Sequence, residues 1–180
     1  MKIENLCVSF EKTVLDNFSF SADKGIYCIY APSGTGKTTL FNAIAGLIKY
    51  SGKIEYEGKI SYLFQEDRLL PQLSAKKNIM LATKDIKRAE YYIEKFGIKE
   101  FENKKPSDLS GGMQRRCALA RCFAFGGDIF LFDEPFRGLD ENNANSVREE
   151  IKKLEGLVLV ITHDILDAQR LNAKTVFLHS

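Results

Sequence analysis

The chain has 180 residues, 44% of them hydrophobic and 28% charged, with 26 Lys plus Arg against 24 Asp plus Glu. That is one domain's worth of chain, able to bury about 70% of its unfolded surface, and the near balance of charge gives no basic field that would call for nucleic acid or an anionic membrane as partner. No apolar run approaches the roughly 20 residues that span a bilayer, and the start, Met1-Lys2-Ile3-Glu4-Asn5, lacks the basic-then-apolar pattern of a secretory signal, so the expectation is a cytosolic protein.

The first stretch alternates apolar and polar residues as strands do, at Ile3–Val8 and again at Phe18–Phe20. Gly25–Tyr30 is a near-continuous apolar run, the pattern of a strand buried on both faces. A glycine-rich loop follows, and then a helix over Thr38–Leu47 with Leu40, Phe41, Ile44 and Leu47 at helical spacing. Tyr50–Phe64, broken by Gly52 and Gly58, reads as short strands, the last being Ile60–Phe64. From Ser74 to Phe125 the character is helical: Ile86, Ala89, Ile93 and Phe96 make one face before Gly97, and Met113–Phe123 forms a further helix. Asp128–Phe132, Leu157–Ile161 and Val176–Leu178 are strands, with a charged helix over Asn142–Leu154. Strands at both ends with helices between them predict an α/β core carrying a helical insertion, without a linker to separate the two. The four cysteines, Cys7, Cys28, Cys117 and Cys122, have neither C-x-x-C spacing nor a common helix face, and all four are expected to be buried apolar side chains.

The strongest local signal is Ala31-Pro32-Ser33-Gly34-Thr35-Gly36-Lys37-Thr38, between a buried strand and a helix. It matches the phosphate-binding pattern G-x-x-x-x-G-K-[ST] except that Ala31 stands where the first glycine belongs. In such a loop successive backbone N–H groups and the positive end of the new helix meet phosphate oxygens. Gly34 and Gly36 let the backbone approach, Lys37 reaches the outer phosphates, and the Thr38 hydroxyl ligates Mg²⁺; Ser33, Thr35 and Thr39 complete the set. Ile129–Phe132 then ends in Asp133-Glu134, and an apolar strand closing on two carboxylates suits a metal–phosphate site, since ionised carboxylates are costly to bury unpaired.

With these in place, four further segments resemble the motifs of ABC ATPases and fall in that family's order. Leu109-Ser110-Gly111-Gly112-Met113-Gln114 is similar to the signature sequence, Gln65 to the Q-loop, Gly138-Leu139-Asp140 to the D-loop and His163 to the switch histidine. Phe10 stands where the family places an aromatic that stacks on adenine, although Phe18 and Phe20 are equal alternatives. The resemblance covers nearly the whole chain. It implies a P-loop NTPase-type α/β fold with a mostly parallel sheet, antiparallel strands at the N-terminus and a helical lobe. The chain would be a single ABC ATPase domain, with a core lobe over about 1–65 and 126–180 and a helical lobe over about 66–125.

The resemblance also implies roles. ATP and Mg²⁺ would be held by the phosphate loop, Asp133 and Gln65. Glu134 would be the general base, oriented by His163, and Ser110, Gly111 and Gly112 would bind the γ-phosphate held by a second ATP-binding subunit, with Asp140 communicating across the pair. The chain would power a separate transmembrane permease from the inner face of the cell membrane, in a head-to-tail and most simply homodimeric sandwich; the alternative is a soluble ABC ATPase in assembly or cell division. Two departures from the family pattern are visible. Only 17 residues follow His163, which predicts that regulatory C-terminal domains are missing, and 45 positions separate Gln65 from Ser110, which predicts a compact helical lobe. Glu66-Asp67-Arg68-Leu69-Leu70-Pro71 is similar to the corresponding segment of importer ATPases for nitrate, sulfonate or taurine-like solutes, and Leu69, Leu70 and Leu73 are candidates either for permease contact or for the interior of the lobe.

Overall fold

A computed structural model describes residues 1–30, 32 and 34–178. Ala31 and Ser33 of the phosphate loop and the C-terminal His179 lie outside the described residues. The N-terminal strands β1 (Lys2–Ser9) and β2 (Thr13–Ser21) form an antiparallel hairpin, and β4 (Ser51–Glu55) pairs antiparallel to the other side of β1. A second sheet of five strands is wholly parallel, in the order β5 (Ile60–Leu63), β6 (Ile129–Asp133), β7 (Leu157–Ile161), β3 (Gly25–Tyr30), β8 (Lys174–Phe177). The expected sheet is therefore present, with its antiparallel strands segregated into a sheet of their own.

The near-continuous apolar runs are explained by burial of both faces. Alternate residues of the three central strands point to opposite sides, as the two-residue period of a strand dictates. On one side Tyr27, Ile29, Ile129, Leu131, Leu157, Leu159 and Ile161 pack with the antiparallel sheet and with α1 (Lys37–Ile44). On the other side Cys28, Tyr30, Phe130, Phe132, Val158 and Val160 pack with the remaining helices. These are α2 (Ala75–Met80), α3 (Ile86–Lys95), α4 (Gly111–Phe125), α5 (Glu141–Lys152) and α6 (Ile165–Leu171). A chain of aromatic contacts, Tyr92 to Phe123 at 5.2 Å and Phe123 to Phe132 at 5.4 Å, ties α3 through α4 to β6. Such ring pairs contribute about 0.5–1.5 kcal/mol each beyond the area they bury.

Three sequence-based expectations are corrected. The helix after the phosphate loop ends at Ile44 and not Leu47: Gly46 takes φ +69°, which stops the helix, and Leu47 is exposed. Ile86 is also exposed, because it lies in the first turn of α3, ahead of the buried Ala89, Tyr92, Ile93 and Phe96. Of the four cysteines Cys7 is only half-buried, its sulfur accepting the Asn17 amide at 3.2 Å across the hairpin. Burial pushes the thiols of Cys28 and Cys117 up to about 12 and that of Cys122 up to about 11, which keeps these three protonated and inert.

Candidate active site

Every segment singled out for phosphate chemistry except the signature sequence, Phe10 and Asp140 emerges from the C-terminal end of a parallel strand. Gln65 follows β5, the phosphate loop follows β3, Asp133-Glu134 closes β6 and His163 follows β7. That edge is where open α/β sheets bind ligands. Here it forms a cleft of about 290 Å³ lined by Gly34, Gly36, Lys37, Thr38, Thr39, Gln65, Asp133, Glu134 and His163, with Val14 of β2 closing one wall.

Gly36 shows why this loop requires its glycines. It precedes α1 with φ +88°, and a Cβ there would lie 2.8 Å from the Val14 side chain and 3.1 Å from the Val14 carbonyl oxygen. Only a residue without a side chain lets the helix start press so closely onto β2. Lys37 opens α1 with its ammonium donating to Pro32 O at 3.0 Å, and the Thr35 hydroxyl donates to the same oxygen at 2.6 Å. No acidic residue sits in the first turn of α1, so its positive end faces the cleft uncompensated from within the helix.

The two carboxylates after β6 are placed differently. Asp133 is buried, with Oδ2 accepting the Thr38 hydroxyl at 2.7 Å and Oδ1 buried without a hydrogen-bond partner among the described residues. Burial pushes its carboxyl above the ordinary range and the Glu134 charge adds to this, while the Thr38 bond and the Arg115 and Lys37 charges oppose it. Glu134 instead reaches into the cleft, where His163 Nε2 lies 2.7 Å from Oε1. Its backbone sits at φ +51°, a conformation that costs a non-glycine residue about 1–3 kcal/mol. Three bonds hold it there: its amide donates to Ile161 O at 2.9 Å, and its carbonyl accepts from Arg115 at 2.8 Å and from the Arg137 amide at 3.2 Å. A carboxylate aimed by an imidazole beside a lysine and a helix start can take a proton from water near a bound phosphate.

Five predicted residues, Ser110, Gly111, Gly112, Asp140 and Phe10, lie apart from this cleft. Ser110 caps α4, its Oγ accepting the Met113 amide at 3.3 Å, so the cap geometry is present. Among the described residues a Cβ added on Gly111 would meet nothing within 4 Å, whereas one on Gly112 would meet Gly138 O at 2.7 Å, so the missing side chain of Gly112 lets α4 approach the loop after Glu134. Asp140 caps α5 by accepting the Asn143 amide at 2.9 Å, which holds its carboxyl below the usual range. Phe10 is 63% exposed at the tip of the first hairpin, while Phe18 and Phe20 are half-buried against the core. Of the three leucines after Gln65 only Leu70 is exposed; Leu69 and Leu73 are half-buried.

Sequence reasoning missed the arginines that fix this region. Arg115, fully buried in α4, reaches the chain on both sides of the cleft, Arg137 donates to Gln65 O at 2.9 Å, and Arg121 donates to Asp67 O at 2.7 Å and Arg68 O at 2.8 Å. Helical spacing could not single out Arg115, because Arg116 and Arg121 share the same helix and only Arg115 of the three is buried.

A family model described as ABC transporter matches residues 15–137. The chain belongs to the ABC transporter family. It is 36% identical to the uncharacterized ABC transporter ATP-binding protein YtlC of Bacillus subtilis (strain 168), over 93% of this chain and 73% of that protein. It is 34% identical to the aliphatic sulfonates import ATP-binding protein SsuB 1 of Rhodococcus jostii (strain RHA1), over 93% of this chain and 74% of that one. Among solved structures, the ATP-binding cassette MJ0796 in a dimeric post-hydrolysis state bound to ADP and Pi is similar, with a TM-score of 0.86 at 27% identity over 98% of this chain and 93% of that one. Within the family these similarities put the chain among the ATP-binding subunits, which are ATPases. Among the described residues no helix is long and apolar enough to cross a membrane.

Proposed function

We propose that this chain hydrolyses ATP at the cleft around Lys37 as one half of a head-to-tail pair that drives a separate membrane permease. The observation that carries the reading is the division of the site. Lys37, Thr38, Gln65, Asp133, Glu134 and His163 line one cleft, while Ser110, Gly111 and Gly112, a glycine-rich helix start suited to phosphate, are absent from its lining. In this reading such a start completes a γ-phosphate site on a second copy, and the dimeric state of the cassettes this chain is similar to supports a pair.

In this reading the amides of Gly34 to Thr38 and the Lys37 ammonium bind the phosphates, and Thr35 and Thr39 flank them; Ser33 joins them by its place in the motif. Phe10, exposed on its hairpin, offers a face for adenine. Glu134 takes the proton of the attacking water, His163 holds Glu134 in place and Gln65 positions that water. Asp140 lies across the interface from the partner. The residues fit Mg²⁺, a hard cation that uses one or two carboxylates with substrate phosphates: Thr38 Oγ1 and the unpartnered, buried Asp133 Oδ1 would hold it, with Gln65 near. Bound there, Mg²⁺ supplies charge neutralisation on the phosphates. The segment 66–125 works as a lobe of the same unit, and exposed Leu70, with Leu81 at the end of α2, offers apolar contact to a permease at the inner membrane face.

The test is Glu134→Gln, which retains the side chain's shape and removes the base. ATP should convert the variant from monomer to dimer in light scattering while turnover drops about 10²- to 10⁴-fold, the usual worth of a general base. Wild-type turnover in the variant, or a monomer at saturating ATP, overturns the reading.

A further inference from the structure

The ladder between β5 and β6 runs from Ile60↔Ile129 to Leu63↔Phe132 and stops there. Beyond it the two chains part, β5 into Phe64-Gln65 and β6 into Asp133-Glu134, whose strand stays paired to β7 through Asp133↔Ile161. Arg115 fills the fork. Its Nη1 donates to Phe64 O at 2.8 Å, to Gln65 O at 3.5 Å and to the Asp67 carboxylate at 2.8 Å; its Nη2 donates to Glu134 O at 2.8 Å and to Asp133 O. The side chain is 2% exposed, and Asp67, itself 15% exposed, neutralises it. Arg137 grips Gln65 O from the loop after Glu134. A planar guanidinium with five donors can bridge four carbonyls and a carboxylate at once; an ammonium or an amide has neither the reach nor the number of donors.

Arg115 is also rooted about one turn into the helix that opens on the glycine-rich cap, three residues after Gly112 and five after the N-cap Ser110. We infer that Arg115 is a positioning residue that couples the cap a protomer offers to its partner's nucleotide with the Gln65 and Glu134 loops that act on its own. This rests on the head-to-tail reading above. When the cap engages a phosphate on the partner, α4 bears on the fork through one rigid side chain, and the carbonyl whose position sets the Glu134 backbone moves with it. The two nucleotides of the pair then sense each other within each protomer as well as across the interface.

The test uses the full chain with Arg115→Gln, Arg115→Lys and Asp67→Asn, the last leaving the arginine in place without its counter-ion. Folding is checked by circular dichroism, binding with a fluorescent ATP analogue, and hydrolysis as a function of ATP concentration. Arg115→Gln should bind nucleotide within about threefold of wild type, since the phosphate loop is untouched, while kcat falls on the order of 10- to 100-fold, as expected for a catalytic group displaced by a fraction of an ångström. The Hill coefficient should drop toward about 1, the value for uncoupled sites. Arg115→Lys should recover part of kcat, and Asp67→Asn should fall between the two. A merely structural arginine would lower melting temperature and leave kcat and Hill coefficient of the folded fraction at wild-type values; that outcome overturns the proposal. If Arg115→Gln does not fold, Asp67→Asn with wild-type kcat and cooperativity overturns it equally. A wild type that hydrolyses ATP without cooperativity overturns the coupling and leaves the site reading intact, whereas a wild type that neither binds nor hydrolyses ATP overturns the reading beneath it.

Discussion

Gly111 and Gly112 differ by one position and should respond oppositely to the same added methyl group. A Cβ on Gly112 would sit 2.7 Å from Gly138 O, against 3.4 Å or more for an ordinary contact, so the loop carrying Gly138 or the start of α4 must yield by about 0.7 Å. The Cβ is fixed by the backbone of Gly112 and the oxygen it meets is itself backbone, so no side-chain rotation relieves the clash. Overpacking of this size costs about 1–3 kcal/mol, reduced by the roughly 0.4–1 kcal/mol that replacing glycine gains by restricting the unfolded chain. Gly112→Ala should therefore lose about 1.3 kcal/mol, within a span of about 0–2.6, and melt about 3–5 °C lower, at about 2–4 °C per kcal/mol for a chain of this length. Gly111 has a negative φ and nothing within 4 Å of the added carbon. Gly111→Ala should accordingly hold or gain up to about 1 kcal/mol, melting up to about 4 °C higher. Thermal unfolding of the nucleotide-free proteins at micromolar concentration measures this without interference from the partner site. Equal shifts for the two variants would refute the close approach of α4 to the Gly138 loop.

Two further outcomes follow from the cleft. Lys37→Ala removes the positive charge nearest the phosphates, and with charge-assisted hydrogen bonds worth about 1.5–3 kcal/mol nucleotide affinity should weaken about 10- to 150-fold by equilibrium titration; an unchanged Kd would remove the phosphate-loop assignment. Asp133 is held above the ordinary carboxylate range chiefly by burial, so the native state binds the extra proton and loses stability as pH rises from the ordinary carboxylate range through the raised value. Without Mg²⁺, Asp133→Asn should thus lack this loss and melt above wild type at neutral pH by about 2–4 °C for each kcal/mol relieved, while Mg²⁺ with ATP stabilises wild type and not the variant. A variant that melts no higher at neutral pH, with the same dependence on pH as wild type, would show that the carboxylate bears no burial penalty.

Local chemistry was legible because it is local. Gly34, Gly36, Lys37 and Thr38 lie in one strand–loop–helix unit, and the apolar runs of β3, β6 and β7 declare a sheet covered on both faces. Periodicity was less able to place ends: it carried α1 on to Leu47 and put Ile86 on the buried face, because a spacing pattern holds no record of where Gly46 turns or where a neighbouring layer stops. The alternation of β1 likewise does not say that the hairpin leaves the Cys7 sulfur to accept an amide at its edge.

The amino-acid order alone picked out the segments proposed here to meet a phosphate, since a glycine loop before a lysine-led helix and a carboxylate pair after an apolar strand are patterns of a few backbone positions. Only the tertiary structure decided how those pieces join: the Thr38–Asp133 bond spans 95 positions, Arg115 reaches 51 positions back to Phe64, and the tightness that excludes a side chain at Gly112 comes from a carbonyl at Gly138. The physical reason is one of range. Propensity and periodicity act over a helical turn or a strand's alternation, whereas a buried arginine or a missing Cβ answers to whatever the folded chain brings within about 3 Å.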